Sequence, residues 1–331
     1  MTAASPAQRL FGRFGVDTRA LAAVRVGLSA IVIVEWFVEG APDGLAGLVE
    51  GARWVLLPLA VVHLVGVRTG VTSVLMWIAY GIPVRADLLT SGTEVHLGRY
   101  CIALILFWFM FLPVGEHLSW QARGRSQARV VLSVASGGLL LQFFVIYFWA
   151  GATKHLGEWL LQRTALFDVL SNPEHGSALG MKLLDYPALL AVGSVATVTI
   201  EVIGSLLLFL PYRGIGTRRV ILVGAFILFH IGMAALMTLQ FFPYVMMVAW
   251  LVFLPPAFLD RLTRTKAKSE SDPSPLRNVT AGVAMAYVVV SSVVTWLYYP
   301  ANEGWPAVVQ EVGRHLLLYQ QWAMFSVPSS L

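Results

Sequence analysis

Long stretches of this chain carry few polar residues, and short loops rich in arginine separate them. Predominantly apolar runs lie near residues 18–38, 52–67, 70–84, 97–114, 129–152, 187–211, 219–238, 241–259 and 279–298. A helix needs about 20 apolar residues to cross a bilayer, so the pattern predicts about nine transmembrane helices. The second and third runs are short, and the third contains Pro83 near its end. Only "LQFFP" is left to make the turn between the seventh and eighth. The predicted fold class is all-α: a polytopic integral membrane helix bundle.

The polar intervals fill in the organisation. Residues 262–277, which include "TRTKAKSESDPSPLR", read as a flexible cytoplasmic loop. Within 153–186, "GEWLLQRTALFDVLSN" is amphipathic and is expected to lie along the membrane surface or fold over the bundle. Residues 300–331 form a short external tail of similar character. With no internal repeat and no soluble unit of useful size, residues 1–331 read as a single transmembrane domain.

Composition supports this reading. The chain is 57% hydrophobic and 12% charged, with a mean hydropathy of +0.73, against roughly 25% charge in soluble domains. The net charge of +5 does not point to nucleic acid, because the basic residues sit in interhelical loops. The single cysteine, Cys101, excludes a disulfide framework within the chain. The N-terminus lacks a signal-peptide pattern, and Arg9, Arg13 and Arg19 read as a cytoplasmic lead-in to the first helix. With the N-terminus inside, fifteen basic residues fall in inner segments and seven in outer ones, while Arg25 lies within the first span. That bias predicts nine spans with the N-terminus inside and the C-terminus outside.

Ionisable residues inside the spans are the first candidates for function, because each costs about 2.5–3.5 kcal/mol on insertion scales. Arg25 and Glu35 lie in the first span, His63 in the second, Glu201 in the sixth and His230 in the seventh. Arg25 and Glu35 are ten residues apart, roughly 15 Å along a helix, so each needs a partner elsewhere. Arg25, Glu35 and Glu201 read as structural buried charges, and His63 as a satisfied core histidine.

Two further groups sit at the outer ends of spans. His96, Arg99 and Tyr100 share one face of the fourth. Tyr147, Gly151 and Lys154 share one face of the fifth, and Gly151 removes bulk beside the lysine. Lys154 reads either as an interfacial anchor, with little effect on folding when replaced by alanine, or as a general base at a pocket mouth. No established metal-ligand spacing occurs among the histidines, and no HExxH, Walker loop or GxGxxG is present.

The segment "YFWAGATKHLGEW" resembles the Tyr-Phe-x-Ala-Gly-x-x-Lys…Trp motif of the vitamin K-dependent gamma-carboxylase family. That family shares the horizontally transferred transmembrane (HTTM) domain with many bacterial proteins. "VRVGLSAIVIVE", "VHLGRY…FMFLPVGEHLSW", "FHIGMAALMTLQFFPYVMM" and "YQQWAMFSVPSS" are similar to further family segments, in order along the chain. The family's Ser-x-Asp acid is missing, since Ser119 is followed by Trp120 and Gln121.

The resemblance implies a multi-pass protein of a cell membrane, bacterial and plasma-membrane in location. It implies reduced vitamin K or menaquinol as cofactor, and membrane lipid, quinone and a peptide substrate as partners. In the family a lysine deprotonates the reduced vitamin, whose oxygenated product drives carboxylation. Aligning Ala150, Gly151 and Trp159 without gaps puts Lys154 at that lysine. His96 falls near an assisting histidine, and Tyr100, Arg99, Tyr147, Gly151, Trp159 and His230 are the expected pocket residues. No counterpart of the carboxylase's propeptide-recognising domain is found in these residues. The alternative is therefore a non-catalytic HTTM membrane protein serving peptide maturation, immunity or scaffolding.

Overall fold

The structure is a computed structural model that describes residues 14–39, 47–90, 97–124, 129–209, 215–264, 268–271, 275–298 and 307–318. It is an all-α bundle. Helices α1 (Thr18–Glu39), α2 (Leu48–Val65), α3 (Thr69–Thr90) and α4 (Leu97–Phe109) pack as successive neighbours. Helix α5 (Val134–Ala152) leads through a π-helical turn at Gly157–Gln162 into the short helices α6 (Ala165–Ser171) and α7 (Ala178–Lys182). Helix α8 (Pro187–Thr199) passes through a second π-helical turn, Ile200–Gly204, and the span ends at Leu207. Then come α9 (Ile215–Leu236), α10 (Phe242–Ala249), α11 (Pro256–Thr263), α12 (Pro275–Tyr298) and α13 (Ala307–Leu316).

Among the described residues six helices are long and apolar enough to cross a membrane: α1, α2, α5, the span Pro187–Leu207, α9 and α12. A seventh crossing exists if the bent pair around Pro255 counts as one. The expected eighth span is broken there, with Phe242–Phe253 and Pro256–Thr263 meeting at 93°. The "LPP" sequence explains the break: Leu254 precedes a proline and is driven to an extended ψ of 125°, and the two prolines have no N–H for the helix ladder. Of the remaining expected spans, α4 has 13 residues, about 20 Å of helix, and α3 carries Arg85 and Asp87 in its last turns.

The fifth span also starts later than its hydropathy suggests. Ser133 caps it in a reciprocal capping box with Ser136, and Arg129–Leu132 is a strand. This strand, β2, pairs antiparallel with β1 (Val16–Asp17) and parallel with β3 (Lys268–Ser271). Part of the interval expected as a flexible loop therefore has regular structure.

The core gathers large aromatic side chains from α4, α5, α9, α10 and the 3-10 turn after α10. Trp108, Phe143, Phe226, Trp250 and Phe253 are all essentially inaccessible, and Phe226 stacks on Trp250 at 3.8 Å between centroids. Helix α10 crosses both α1 and α4, which ties the first four helices to the second half of the chain. Helix α5 rests on α12 and on the π turn at Ile200–Gly204. That second contact sets up the site.

Candidate functional site

Helix α5 stops at Ala152, and Lys154 lies one turn beyond Ala150. Its side chain folds back rather than reaching for the membrane surface. The Nζ donates to the Ala150 carbonyl at 2.9 Å and to Oε2 of Glu201 at 2.7 Å. The two side chains are only 2% and 5% exposed, so this is a buried ion pair. The ammonium also sits 4.9 Å from the centre of the Trp159 ring, within the range of a cation–π contact.

Both partners of Lys154 lie on π-helical turns: Trp159 on Gly157–Gln162 and Glu201 on Ile200–Gly204. Such turns widen a helix by one residue and are frequent at functional sites. Gly151 lets α5 approach the second turn. A Cβ there would come within 2.6 Å of a Val202 methyl and 2.9 Å of the Glu201 Cβ. Any side chain at 151 would push the carboxylate away from the lysine.

The pair forms the polar end of a cavity of about 350 Å³, within the usual range for small-molecule sites. Its other walls are apolar: Leu166 and Val169 from α6, Ile200, and Phe229 and Met233 from α9, with Thr197 as an added hydroxyl. The segment 153–186 thus forms one wall. Leu228 also lines the cavity and is 68% exposed on the bundle surface.

Other predicted site residues occupy three different places. Arg99 belongs to a second cluster, where its Nε donates to Glu35 at 2.7 Å and its guanidinium also pairs with Glu39 and Asp87. Tyr80 donates to Glu35 at 2.7 Å, and these residues line a separate cavity of about 150 Å³. Tyr147 and His230 form a third group, 3.1 Å apart, with the Trp250 indole donating to the tyrosine oxygen at 2.7 Å and the Phe226 carbonyl 2.7 Å from His230 Nδ1. Tyr100 is buried in the hydrophobic core. The structure brings Lys154, Gly151, Trp159 and Glu201 together, whereas Arg99, Tyr100, Tyr147 and His230 do not line that cavity. Tyr147 shares a helix face with Lys154, but two turns of helix take it into the aromatic core. His96 lies outside the described residues.

Arg25 finds its partners among backbone carbonyls. Its guanidinium reaches the His63 carbonyl, Leu64 O at 2.7 Å and Val114 O at 3.1 Å. It therefore caps the end of α2, where Gly66 takes the left-handed conformation (φ 79°) and returns its N–H to Val62 and His63. His63 bridges Ser29 at 2.9 Å and Ser73 at 3.1 Å, as a satisfied core histidine should. Among the described residues no three His, Cys, Asp or Glu side chains group as metal ligands do.

A lysine after a glycine at the end of a buried span, with an aromatic five residues on, matches the motif that carried the family resemblance. A family model for the HTTM domain matches residues 54–258, which include Lys154, Trp159, Glu201 and the cavity walls. The chain belongs to the HTTM domain family. It is a multi-pass membrane protein whose helices contact lipid. No curated protein and no solved structure matches the chain. Glu201, read from the sequence as a structural buried charge, is the partner of Lys154. An acid deep in an apolar span was the available signal. Its partner was hidden because Lys154 follows the helix end and returns by one turn of side chain.

Proposed function

We propose that this HTTM protein binds the ring of a reduced quinone, of the menaquinol or vitamin K type, in the Lys154–Glu201 cavity and couples its oxidation by O2 to proton abstraction or carboxylation of a carbon acid. The observation that carries this reading is a buried ion pair in the lining of an otherwise largely apolar cavity that also includes the exposed Leu228. An amphiphile with ring hydroxyls and an apolar tail fits that division. Its polar atoms meet Lys154 and Glu201, and its tail follows Leu228 and Met233 toward the bilayer. When bound, a reduced quinone supplies the electrons that O2 takes up. The chain's residues bind and orient the ring: Trp159 offers a face, Thr197 a hydroxyl, and the α6 wall excludes water.

The reading includes nine crossings in a bacterial plasma membrane, with the N-terminus inside and the C-terminus outside. Contacts between segments support that topology. The sheet joins Val16–Asp17, Arg129–Leu132 and Lys268–Ser271, all assigned inside. Arg19 pairs with Asp260, also on that side. On the other side, Gly176 bridges to Met237, and Arg85 donates to the His315 carbonyl.

Oxygen-dependent oxidation of menaquinol by protein in lipid nanodiscs tests the proposal. Wild type is compared with Lys154→Met/Glu201→Leu, which removes both charges together. Quinone epoxide from wild type alone is the expected result. No turnover by well-folded wild type overturns it and favours the non-catalytic alternative, in which the ion pair only locks α5 to α8.

A further inference from the structure

Lys154 is poorly placed to act as a free base. Its Nζ is 2.7 Å from the Glu201 carboxylate, and both are buried. A neutral lysine there would leave an uncompensated carboxylate in an apolar wall, which is the costly state for such a pair. The geometry instead leaves one group of each kind for a ligand. Among the described residues, the ammonium uses two of its three N–H donors, on Ala150 and Glu201. Glu201 engages Lys154 through Oε2, which leaves Oε1 as a second acceptor on a residue that lines the cavity.

We infer that Glu201 is the proton acceptor of this site, and that Lys154 is the fixed cation holding the oxygen from which the proton is taken. A ligand hydroxyl donates to Glu201 and accepts from Lys154. Its O–H bond breaks, the proton forms a new O–H bond on the carboxylate, and the electron pair stays on the ligand oxygen beside the ammonium. One positive and one negative charge are present before and after, so the apolar cavity never holds a lone charge. The π turn at Ile200–Gly204 and the missing side chain at Gly151 position this acceptor. The inference rests on the ligand reading above and differs from the role that the family resemblance assigns to Lys154.

The probe is a 4-nitrophenol bearing an alkyl chain, which needs no oxidant and whose absorbance separates phenol from phenolate. Protein in nanodiscs is titrated at a pH where the probe in empty discs is protonated. Infrared difference spectra and calorimetry in two buffers of different ionisation enthalpy are recorded. The expected result is a bound phenolate together with a new carboxylic-acid carbonyl band and no proton released to buffer. Glu201→Gln should lose that band and release one proton on binding. Glu201→Asp should shift the band, and Lys154→Arg should keep it. Bound phenolate without the acid band in wild type, or a bound probe that stays protonated, overturns the assignment of Glu201. Failure of wild type to bind the probe overturns the ligand reading with it.

Discussion

The buried charges of this bundle are satisfied in two different ways, and the difference decides what each mutation does. Lys154 and Glu201 neutralise each other, so removing one strands the other in an apolar wall. Lys154→Met should lower unfolding stability by about 3–5 kcal/mol, and Lys154→Met/Glu201→Leu should recover most of that loss. Thermal unfolding in nanodiscs measures both. A single variant as stable as wild type would contradict the pairing. This revises the expectation that Lys154 is a dispensable interfacial residue, since the side chain is buried. Arg25, by contrast, serves backbone carbonyls. Arg25→Lys keeps the charge but not the planar fork that spans the His63, Leu64 and Val114 carbonyls. It should be destabilised by at least about 1.5 kcal/mol, the worth of one charge-assisted hydrogen bond. An unchanged melting temperature would remove the capping role.

At the level of elements, the site depends on two π turns and one glycine. Gly151→Ala places a methyl against Val202 and the Glu201 backbone stem, and overpacking of this kind costs typically about 1–3 kcal/mol. It should also weaken binding of the nitrophenol probe, because the carboxylate is displaced. Stability and probe affinity equal to wild type would show that α5 and the turn have room to spare. The sequence disclosed the glycine and the lysine, because composition and spacing single them out. The π turns were not legible: five residues in an apolar run (Ile200–Gly204) and six in an amphipathic one (Gly157–Gln162) widen the helix without any hydropathy signature. The break at Pro255 was hidden for a related reason, since apolar residues on both sides of the "PP" pair extend the hydropathy peak across a 93° bend. Arg99 was misplaced because a shared helix face fixes neither the depth of a side chain nor the helix it meets.

Across the whole molecule, the segment contacts group the same loops together as the positive-inside bias does. The bias came from the sequence, while the sheet that joins three distant segments did not: its strands are two to four residues long and carry no alternating pattern. Sidedness can be tested by cysteine labelling, because the native Cys101 is buried. A membrane-impermeant maleimide should label Glu174→Cys in intact cells and Leu262→Cys only after permeabilisation. Labelling of both in intact cells would contradict the proposed topology.

The central claim is that the cavity between α6, α8 and α9 receives the head of a membrane-dissolved quinol. Gly232 lines it, and a Cβ built there meets nothing within 4 Å, so Gly232→Phe adds bulk at the cavity while leaving both charged residues in the sequence. The measurement is anaerobic binding of menaquinol to protein in nanodiscs, followed by tryptophan fluorescence. Saturable binding by wild type, weakened at least about tenfold (1.4 kcal/mol) in a Gly232→Phe variant of unchanged melting temperature, is the predicted result. Equal binding by the two proteins, or none by wild type, would contradict the account.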